Sequence, residues 1–425
     1  MNLKIQVQNI NTNSQLKLTG SKSETNRLLL LQALFSNIIL ENSSISDDSE
    51  VMAAAIKTNS EGRAKNKIDI HHAGTAMRFL TAFFAIQEGK ETILTGSARM
   101  KQRPVKILVD ALKQLGADIT YIENEGFPPV KITGKNLTNN QVTLSADVSS
   151  QYISALLLIA PKLVNGIEIT LVNAITSVPY IKMTLALLNE IGVETHFDHD
   201  KITVKPFGTE ASVLATNQKI TIESDWSSAS YFYSIIALSP IGTSITLSSF
   251  KQNSLQADSV LADIYKAFGV KTTFVKESIV ITKTQIHKAD FFAKGLDCSN
   301  CPDIAQTIAV TAFGLGARCH LTGLHTLKIK ETDRLEALKT ELTKLGAHIT
   351  VTNDSLTLEA QSVAAPKTLK KTSIATYQDH RMAMAFAPLA LKRTIQIEDA
   401  EVVSKSFPTF WNDLRSIGFE IREVN

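Results

Sequence analysis

The stretch IKETDR, residues 329–334, places four charged side chains at the start of an amphipathic helix: Lys330, Glu331, Asp333 and Arg334. The first turn of a helix presents unpaired N–H groups and a partial positive charge, so it attracts anions. Arginine binds carboxylates and phosphates through two parallel hydrogen bonds, and lysine acts as a compact point charge. This helix start is therefore a candidate binding site for an anionic ligand.

Side chains of the same types recur at the starts of six apolar helices: Lys22, Ser23 and Arg27; Gly74 and Arg78; Ser149, Ser150 and Gln151; Asp225; Asp303; His380 and Arg381. Further basic and hydroxyl side chains lie in the loops RMKQRP, SVPY and SKSFP. Any one of them alone is most simply a solvated helix start or a surface ion pair. Their joint recurrence predicts small substrates that carry several phosphate and carboxylate groups.

Two families of helices must position these residues. The five helices of one family are amphipathic, and each ends in a glycine that is followed by a β-branched stretch. These glycines are spaced by 76, 77, 77 and 72 residues: Gly116, Gly192, Gly269, Gly346 and Gly418. Glycine suits the left-handed position that ends a helix, so the pattern predicts five helices that each lead into a strand.

The six helices of the other family are apolar on nearly every side, which predicts that they are buried. Short β-rich runs such as KIDIHH, QVTLSA and SITLSS lie between the helices and predict strands. The repeating unit is then about 75 residues of mixed α/β structure, with a shortened first copy. Six copies exceed the size of one core, so we expect three plus three, with a boundary near residues 223–225.

Composition excludes several classes of protein. The 425 residues are 44% hydrophobic and carry a formal charge of only +3, without a basic run that could follow a nucleic acid backbone. The N-terminus lacks a signal-peptide pattern, and no apolar run reaches the roughly 18 residues of a membrane helix. We expect a soluble, cytoplasmic protein that binds neither nucleic acid nor membrane.

Motifs for other chemistries are weak or missing. Cys298 and Cys301 form a C-x-x-C that precedes Cys319 and His320, but the intervening apolar stretch predicts a buried helix that would separate the pairs. Buried thiols in a reducing compartment fit better than zinc or a disulfide framework. GSKS at 20–23 lacks the first glycine of a phosphate-binding loop. His71 and His72 follow a strand-like run without a motif that would make them metal ligands, so a structural or substrate-lining role fits them better.

Ten segments together carry a resemblance to a known family: GSKSETNRLLLLQAL, AGTAMRFL, MKQRPVKILVDAL, SSQYISALL, SVPYIKMTL, SSASYF, PDIAQTIAV, IKETDRLEALKTELTKLGA, DHRMAMAFA and SKSFPTFW. In order, and over essentially the whole chain, they resemble the EPSP synthases (3-phosphoshikimate 1-carboxyvinyltransferases), which are enolpyruvyl transferases. The resemblance implies an α/β fold, a two-domain inside-out α/β barrel of six βαβαββ units. The implied domains are residues 21–223, and residues 1–20 with 224–425, with three units each and the active site in the cleft between them.

The implied reaction joins the 5-hydroxyl of shikimate 3-phosphate to the enolpyruvyl carbon of phosphoenolpyruvate and releases phosphate. It requires no metal and no organic cofactor. The resemblance also implies inhibition by glyphosate and a monomeric enzyme.

Matching motifs carry the family's site residues onto this chain. The implied shikimate 3-phosphate set is Lys22, Ser23, Arg27, Ser149, Ser150, Gln151, Ser177, Tyr180, Asp303, Thr326 and Lys330. The implied phosphoenolpyruvate set is Lys22, Gly74, Arg103, Gln151, Arg334, Arg381 and Lys405. The implied catalytic residues are Lys22, Asp303, which engages the reacting hydroxyl, and Glu331, which transfers a proton at the methylene carbon.

These roles are physically reasonable. Enclosure raises the pKa of a carboxyl group, while nearby lysine and arginine lower it, so the pKa of Glu331 can be adjusted for proton transfer. Lys22 shares this proton transfer, and the sequence does not divide the role between the two residues. The basic cage of Arg103, Arg334, Arg381 and Lys405 would orient phosphoenolpyruvate and stabilise the departing phosphate. Domain closure would assemble this cage.

Two positions depart from the family's usual pattern. His72 replaces an asparagine before Ala-Gly-Thr, and Thr326 replaces an asparagine that often contacts the shikimate phosphate. Gly74 resembles the glyphosate-sensitive class, because a side chain at this position would crowd the phosphoenolpyruvate site.

Two other functions are alternative interpretations of the sequence. A UDP-N-acetylglucosamine enolpyruvyl transferase would carry a cysteine in its catalytic loop, but this loop reads GSARMKQRP. A non-catalytic anion-binding homologue would share the fold without the reaction. The retention of the expected charged site residues favours an enzyme.

Overall fold

The structure is a computed structural model that describes residues 1–60, 65–207, 217–287, 292–360 and 373–424. Within these ranges short strands alternate with helices, so the chain has a mixed α/β fold. Of the described helices, none is both long enough and apolar enough to cross a bilayer.

The chain divides into two compact units. The N-terminal unit is Gly20–Ile222, and the C-terminal unit combines Met1–Thr19 with Glu223–Asn425. Each unit has its own hydrophobic core. The first 19 residues thus belong to the unit that is completed last along the chain.

Strands and helices are numbered along the chain. Residues 1–19 contribute β1 (Asn2–Val7) and β2 (Ser14–Lys17) to the C-terminal unit. The helices of the N-terminal unit are α1 (Lys22–Leu34), α2 (Asp47–Ser60), α3 (Gly74–Ala85), α4 (Lys106–Gln114), α5 (Ser150–Ile159) and α6 (Val178–Glu190). Its strands are β3 (Ile38–Glu41), β4 (Lys65–Asp69), β5 (Glu91–Thr95), β6 (Asp118–Tyr121), β7 (Val130–Thr133), β8 (Gln141–Ser145), β9 (Ile167–Val172), β10 (Thr195–Asp198), β11 (Lys201–Val204) and β12 (Gln218–Thr221).

The remaining elements lie in the C-terminal unit. Its helices are α7 (Trp226–Leu238), α8 (Leu261–Ile264), α9 (Ala305–Leu315), α10 (Arg334–Lys344), α11 (His380–Phe386) and α12 (Phe410–Ser416). Its further strands are β13 (Ser244–Ser248), β14 (Val270–Val275), β15 (Ser278–Lys283), β16 (Phe292–Asp297), β17 (Cys319–Thr322), β18 (Ile349–Val351), β19 (Leu356–Leu358), β20 (Ser373–Ile374), β21 (Ile395–Ile397) and β22 (Phe419–Val424).

One pairing pattern recurs in the four-stranded sheets of the described chain. Their strand orders are β4-β5-β7-β6, β8-β9-β11-β10, β2-β13-β15-β14, β16-β17-β19-β18 and β20-β21-β1-β22. In each sheet the first pair is parallel and the next two pairs are antiparallel. Strands β3 and β12 form a separate parallel pair.

Strand β1 lies in the interior of its sheet. It is antiparallel to β21 on one side and to β22 on the other, so that Leu3 faces both Ile397 and Glu423. Leu3 and Ile5 are buried whereas Lys4 is exposed, which is the two-residue period of a strand with one face on a core. The N-terminal strand is thereby an integral part of the C-terminal core.

The predicted helix ends are confirmed. All five repeat glycines have a positive φ, between 78° and 107°: Gly116, Gly192, Gly269, Gly346 and Gly418. A strand follows each of them. Five of the apolar helices, α3, α5, α7, α9 and α11, are largely buried as expected, and in α7 every residue except Ser227 is buried. Helix α1 differs, because seven of its thirteen residues are buried.

The helix predicted before Gly269 is shorter than its sequence pattern. Only Leu261–Ile264 is α-helical, and the following residues form tight turns, as in the hydrogen bond from the Phe268 N–H to the Tyr265 carbonyl at 3.0 Å. The rings of Tyr265 and Phe268 pack edge to face with centroids 5.1 Å apart. Both rings are buried in the core of the C-terminal unit.

Candidate functional site

Arg27 is the most buried predicted ligand of the N-terminal unit. It lies on α1 and is only 2% exposed. Its guanidinium donates hydrogen bonds to neutral oxygens of Ser23, Ser154, Tyr180 and Thr184 at 2.8–3.3 Å. Burial lowers the pKa of Arg27 to about 10, so the group stays protonated at neutral pH.

The start of α6 holds two further predicted residues beside Arg27. Ser177 directly precedes the helix with a left-handed φ of 54°, and its carbonyl accepts the Tyr180 N–H at 3.1 Å. The Tyr180 ring lies with its centroid 5.9 Å from the Arg27 guanidinium carbon. The structure therefore brings Ser23, Arg27, Ser177 and Tyr180 together.

The starts of α3 and α5 meet through side chains. Ser149 caps α5 by accepting the Gln151 N–H at 3.3 Å, and the Gln151 amide donates to the Thr75 hydroxyl at 3.3 Å. Thr75 directly follows Gly74, the first residue of α3. Gln151 is thereby held close to Gly74, and both belong to the predicted phosphoenolpyruvate set.

Gly74 lies against Arg103. A Cβ atom added to Gly74 would come within 2.5 Å of the Arg103 Nη1 atom. Arg103 ends a short 3-10 segment, and Arg78 ties the start of α3 to the same loop by donating to the carbonyls of Gly74 and Pro104 at 2.9 and 3.2 Å. The absence of a side chain at position 74 lets the Arg103 guanidinium approach the start of α3.

Lys22 and His72 share one carboxylate. The Lys22 ammonium lies 3.2 Å from one oxygen of Asp48, and the His72 Nε2 atom lies 3.9 Å from the other. Asp48 belongs to α2, which the sequence motifs did not include. Asp48 is thus a positioning residue for Lys22 that sequence reasoning missed.

In the C-terminal unit the predicted residues converge on Arg334. This side chain is 2% exposed and forms ion pairs with Asp379 at 2.6 Å, Glu331 at 2.9 Å and Asp303 at 3.0 Å. Arg381 joins them through Asp303, at 3.1 Å from a carboxylate oxygen. We call these five residues the Arg334 cluster.

The charges in the Arg334 cluster shift one another's pKa values. Burial alone would raise the pKa of Asp303, but Arg381, Lys330 and Arg334 lower it far below its usual value. Burial alone would lower the pKa of Arg334, whereas Asp379, Glu331 and Asp303 raise it. At neutral pH Asp303 is therefore a carboxylate and Arg334 a cation.

The stretch 329–334 divides at the helix start. Asp333 is the N-cap of α10 and accepts the Glu336 N–H at 3.2 Å, while its other oxygen pairs with Lys328 at 2.9 Å. Lys330 precedes the helix and lies 3.7 Å from Asp303. Asp333 thus stabilises the helix start, whereas its neighbours face the Arg334 cluster.

Lys405 and Thr326 are the remaining predicted residues of this unit. The Lys405 ammonium donates to the Gln378 carbonyl at 2.8 Å, one residue before Asp379. The Thr326 hydroxyl is buried and has no hydrogen-bond partner within the described residues.

Asp258 is a buried acid that sequence reasoning missed. It is 3% exposed, accepts a hydrogen bond from the Ser227 hydroxyl through one oxygen, and finds no partner for the other within the described ranges. Burial, followed by the charge of Asp303, raises the pKa of Asp258 to about 7. The Arg381 guanidinium reaches the same Ser227 hydroxyl at 3.4 Å, so Asp258 lies directly behind the cluster.

The three cysteines are buried free thiols. Burial raises the pKa of Cys319 to about 12. Among the described residues, no three or more histidine, cysteine, aspartate or glutamate side chains are arranged to hold a metal ion.

Comparisons with known proteins agree on one family. The family model for EPSP synthase (3-phosphoshikimate 1-carboxyvinyltransferase) matches residues 40–414. A 3-phosphoshikimate 1-carboxyvinyltransferase from Bacteroides fragilis is 45% identical over 420 residues, which cover 96% of each chain. Its namesake from Haemophilus influenzae is 37% identical over 429 residues, covering 95% of this chain and 96% of that protein.

A solved structure has the same fold. EPSP synthase from Acinetobacter baumannii matches with a TM-score of 0.77 at 22% identity, over 99% of this chain and 100% of that one. At this identity the likeness concerns the fold alone.

Proposed function

The chain belongs to the EPSP synthase (3-phosphoshikimate 1-carboxyvinyltransferase) family, and from this premise we propose that it transfers the enolpyruvyl group of phosphoenolpyruvate to the 5-hydroxyl of shikimate 3-phosphate. Phosphate is the second product. The observation that carries the proposal is the Arg334 cluster, in which two arginines and three carboxylates lie within direct contact. Such a cluster can both bind an anion and move a proton.

Arg27 is proposed to bind the phosphate of shikimate 3-phosphate with Ser23, Ser149, Ser150, Ser177, Tyr180, Thr326 and Lys330. Arg27 supports this role because it is a buried cation that donates hydrogen bonds to hydroxyl and carbonyl oxygens, which carry no charge. The buried Thr326 hydroxyl, which lacks a partner within the described chain, supports a contact with substrate despite the departure from asparagine.

Arg334, Arg381, Arg103, Lys405, Lys22 and Gln151 are proposed to bind phosphoenolpyruvate beside Gly74. Phosphate and carboxylate groups compete with Asp303 for Arg381 and Lys330, which are its neutralising partners. Substrate binding then raises the pKa of Asp303, so the group becomes a better acceptor for the proton of the reacting hydroxyl.

The chemistry proceeds by addition and elimination. The 5-hydroxyl oxygen forms a bond to the central carbon of phosphoenolpyruvate while a proton is added to the methylene carbon. Loss of a proton from the resulting methyl group then expels phosphate and restores the double bond. Glu331, 2.9 Å from Arg334, transfers these protons together with Lys22, and no metal or organic cofactor takes part.

The finer architecture is also a proposal. The shared pattern of one parallel and two antiparallel pairs in five sheets supports an inside-out barrel of six βαβαββ units, three per domain. The predicted domains, 21–223 and 1–20 with 224–425, lie within a residue or so of the two compact units. We further propose a cytoplasmic monomer that glyphosate inhibits.

The direct test is release of inorganic phosphate from purified protein mixed with shikimate 3-phosphate and phosphoenolpyruvate. Release with this pair supports the proposal. Release only with UDP-N-acetylglucosamine as acceptor, or with neither acceptor, rejects it in favour of the sister transferase or of a non-catalytic homologue.

A sharper test is Glu331→Gln, with Glu336→Gln as the matched control because the Glu336 carboxylate is exposed and pairs with the exposed Lys339 at 3.4 Å, away from the Arg334 cluster. Loss of a proton-transfer group should lower kcat by roughly 10²- to 10⁴-fold while substrate affinity is retained. Near-normal turnover in Glu331→Gln would remove this residue from the proton path.

A further inference from the structure

The loop between β20 and α11 has a strained backbone. Tyr377 and Gln378 have φ values of 54° and 58°, so two successive residues with side chains adopt the left-handed conformation. This region is sparsely populated except by glycine, and such strain persists only where surrounding contacts hold the backbone. The contacts that hold this loop are therefore informative about function.

Glu341 holds the loop from α10. Its carboxylate is fully buried and accepts hydrogen bonds from the Tyr377 hydroxyl at 2.6 Å and the Ala375 N–H at 3.3 Å. Lys344, on the next turn of α10, pairs with the same carboxylate at 2.7 Å. Burial, with the adjacent Glu341, raises the pKa of Tyr377 to about 12, so the phenol remains a donor at neutral pH.

The loop ends at a residue of the Arg334 cluster. Asp379 is fully buried, accepts the Arg334 Nε–H at 2.6 Å and caps α11 by accepting the Arg381 N–H at 2.8 Å. Helix α10 thus meets the loop twice, once through Arg334 at its start and once through Glu341 two turns later. The position of the strained turn determines where Asp379 can meet both arginines.

We propose that Glu341 and Tyr377 are positioning residues whose hydrogen bond holds the left-handed turn, so that Asp379 fixes Arg334 and Arg381 for the anionic substrate. Neither side chain has a part in the chemistry described above. The inference rests on the proposed function for the identity of that substrate, phosphoenolpyruvate, but the hydrogen-bonded turn itself does not depend on it.

The test compares Tyr377→Phe with Lys344→Met. The first variant removes only the hydroxyl of a side chain on a residue that is 38% exposed, so the fold is retained. The second variant removes the lysine cation that pairs with the Glu341 carboxylate and leaves the residues of the loop unchanged. A hydrogen bond to a charged group is worth about a tenfold change, so we expect Tyr377→Phe to raise the KM for phosphoenolpyruvate about tenfold.

The accompanying readouts separate positioning from general destabilisation. The KM for shikimate 3-phosphate should stay near the wild-type value in both variants. Lys344→Met leaves the buried Glu341 carboxylate without its cation, so it should lower the midpoint of thermal unfolding at least as much as Tyr377→Phe does. A rise in the KM for phosphoenolpyruvate in Tyr377→Phe alone therefore does not follow from general destabilisation. Glu341→Gln keeps an oxygen that accepts the Tyr377 hydroxyl, so it should recover part of the affinity that Glu341→Ala loses. An unchanged KM for phosphoenolpyruvate in Tyr377→Phe, or an equal rise in Lys344→Met, overturns the proposal.

Hydrogen exchange of residues 375–381 provides a measurement without substrate. The Arg381 amide and its neighbours should exchange faster in Tyr377→Phe than in wild type or Lys344→Met. If the wild-type protein releases no phosphate, the proposed function is rejected, but the exchange rates still test the turn. Equal exchange rates in all three proteins overturn the positioning role of Glu341 and Tyr377.

Discussion

The two units use buried arginines in opposite ways. Arg27 and Arg334 are each 2% exposed. The hydrogen bonds of Arg27 go to hydroxyl and carbonyl oxygens, and burial lowers its pKa to about 10. Arg334 meets three carboxylates, which raise its pKa above the usual value despite burial.

This difference separates two kinds of anion site. The hydrogen-bond partners of Arg27 are neutral and do not balance the positive charge of its guanidinium. A phosphate that binds there would therefore be attracted by nearly the full charge of Arg27. The charge of Arg334 is already balanced, so an anion there must compete with Asp303 or Glu331. We therefore expect the N-terminal unit to supply affinity and the Arg334 cluster to supply orientation and reactivity.

The largest effect is expected for Arg334→Met. Removal of this cation leaves the fully buried Asp379 unpaired, and breaking a buried ion pair costs about 3–5 kcal/mol. Urea denaturation should show this loss in the free energy of unfolding, together with loss of phosphate release. The exposed Arg422→Met is the matched control and should stay within about 0.5 kcal/mol of wild type; an equally small change for Arg334→Met would invalidate the comparison.

Asp258→Asn tests whether Asp258, behind the Arg334 cluster, and Asp303, within it, make stability depend on pH in opposite directions. Asp303, with a lowered pKa, stabilises the fold at neutral pH, and this contribution is lost as the pH falls. Asp258 has a raised pKa of about 7, so the folded state keeps a proton that the unfolded state releases above about pH 4. Stability therefore falls as the pH rises towards 7.

Relative to wild type, Asp258→Asn should gain about 2–3 kcal/mol in the free energy of unfolding between pH 5 and pH 8, because it removes this titration. Denaturation at the two pH values measures the difference. A difference that does not change with pH would mean that Asp258 is ionised throughout.

Arg27→Met should affect binding more than stability. Its partners keep other hydrogen bonds, because the Thr184 hydroxyl bonds to Ser154 at 3.0 Å and to the Tyr180 carbonyl at 2.9 Å. We expect a stability loss of about 1 kcal/mol and at least a roughly tenfold loss of affinity for shikimate 3-phosphate. Calorimetric titration checks the affinity; a stability loss as large as that of Arg334→Met would erase the contrast between the units.

Gly74→Ala should have the smallest effect on folding. The new methyl group meets the flexible end of Arg103, which can move, so stability should change by less than about 1 kcal/mol. The displaced guanidinium should raise the KM for phosphoenolpyruvate about tenfold and weaken inhibition by glyphosate. An unchanged KM would show that the position of the Arg103 guanidinium does not require a glycine at residue 74.

The expected sensitivity to glyphosate is tested on the wild-type protein. Uninhibited turnover at excess glyphosate would contradict it.

Local features of the fold were predictable from the sequence. The glycines at 116, 192, 269, 346 and 418 end helices because their left-handed backbone is a property of the residue itself. Arg27 and Arg381 could be predicted as anion ligands because they lie at the starts of apolar helices, and Arg334 because it lies in the charged start of an amphipathic helix. Both signals are contained within a few neighbouring residues.

Features that depend on distant partners were not predictable. Asp379 precedes the recognised His380 and Arg381, but nothing local indicates that it pairs with Arg334, 45 residues earlier. Asp258 lies in a segment with an ordinary helical pattern, and its raised pKa results from burial and from the charge of the distant Asp303. Similarly, the strained turn at Tyr377 contains no glycine that would have announced it.

The position of β1 has a consequence for biosynthesis. Residues 2–7 are made long before their sheet partners, residues 395–397 and 419–424. At roughly 5–20 residues per second, the ribosome takes on the order of tens of seconds to supply them. The N-terminal unit, whose sheets use only residues 20–222, can form meanwhile. Until translation reaches β22, strand β1 lacks this partner and can pair with other exposed strands. Stalled or truncated nascent chains should therefore be the most aggregation-prone forms of this protein.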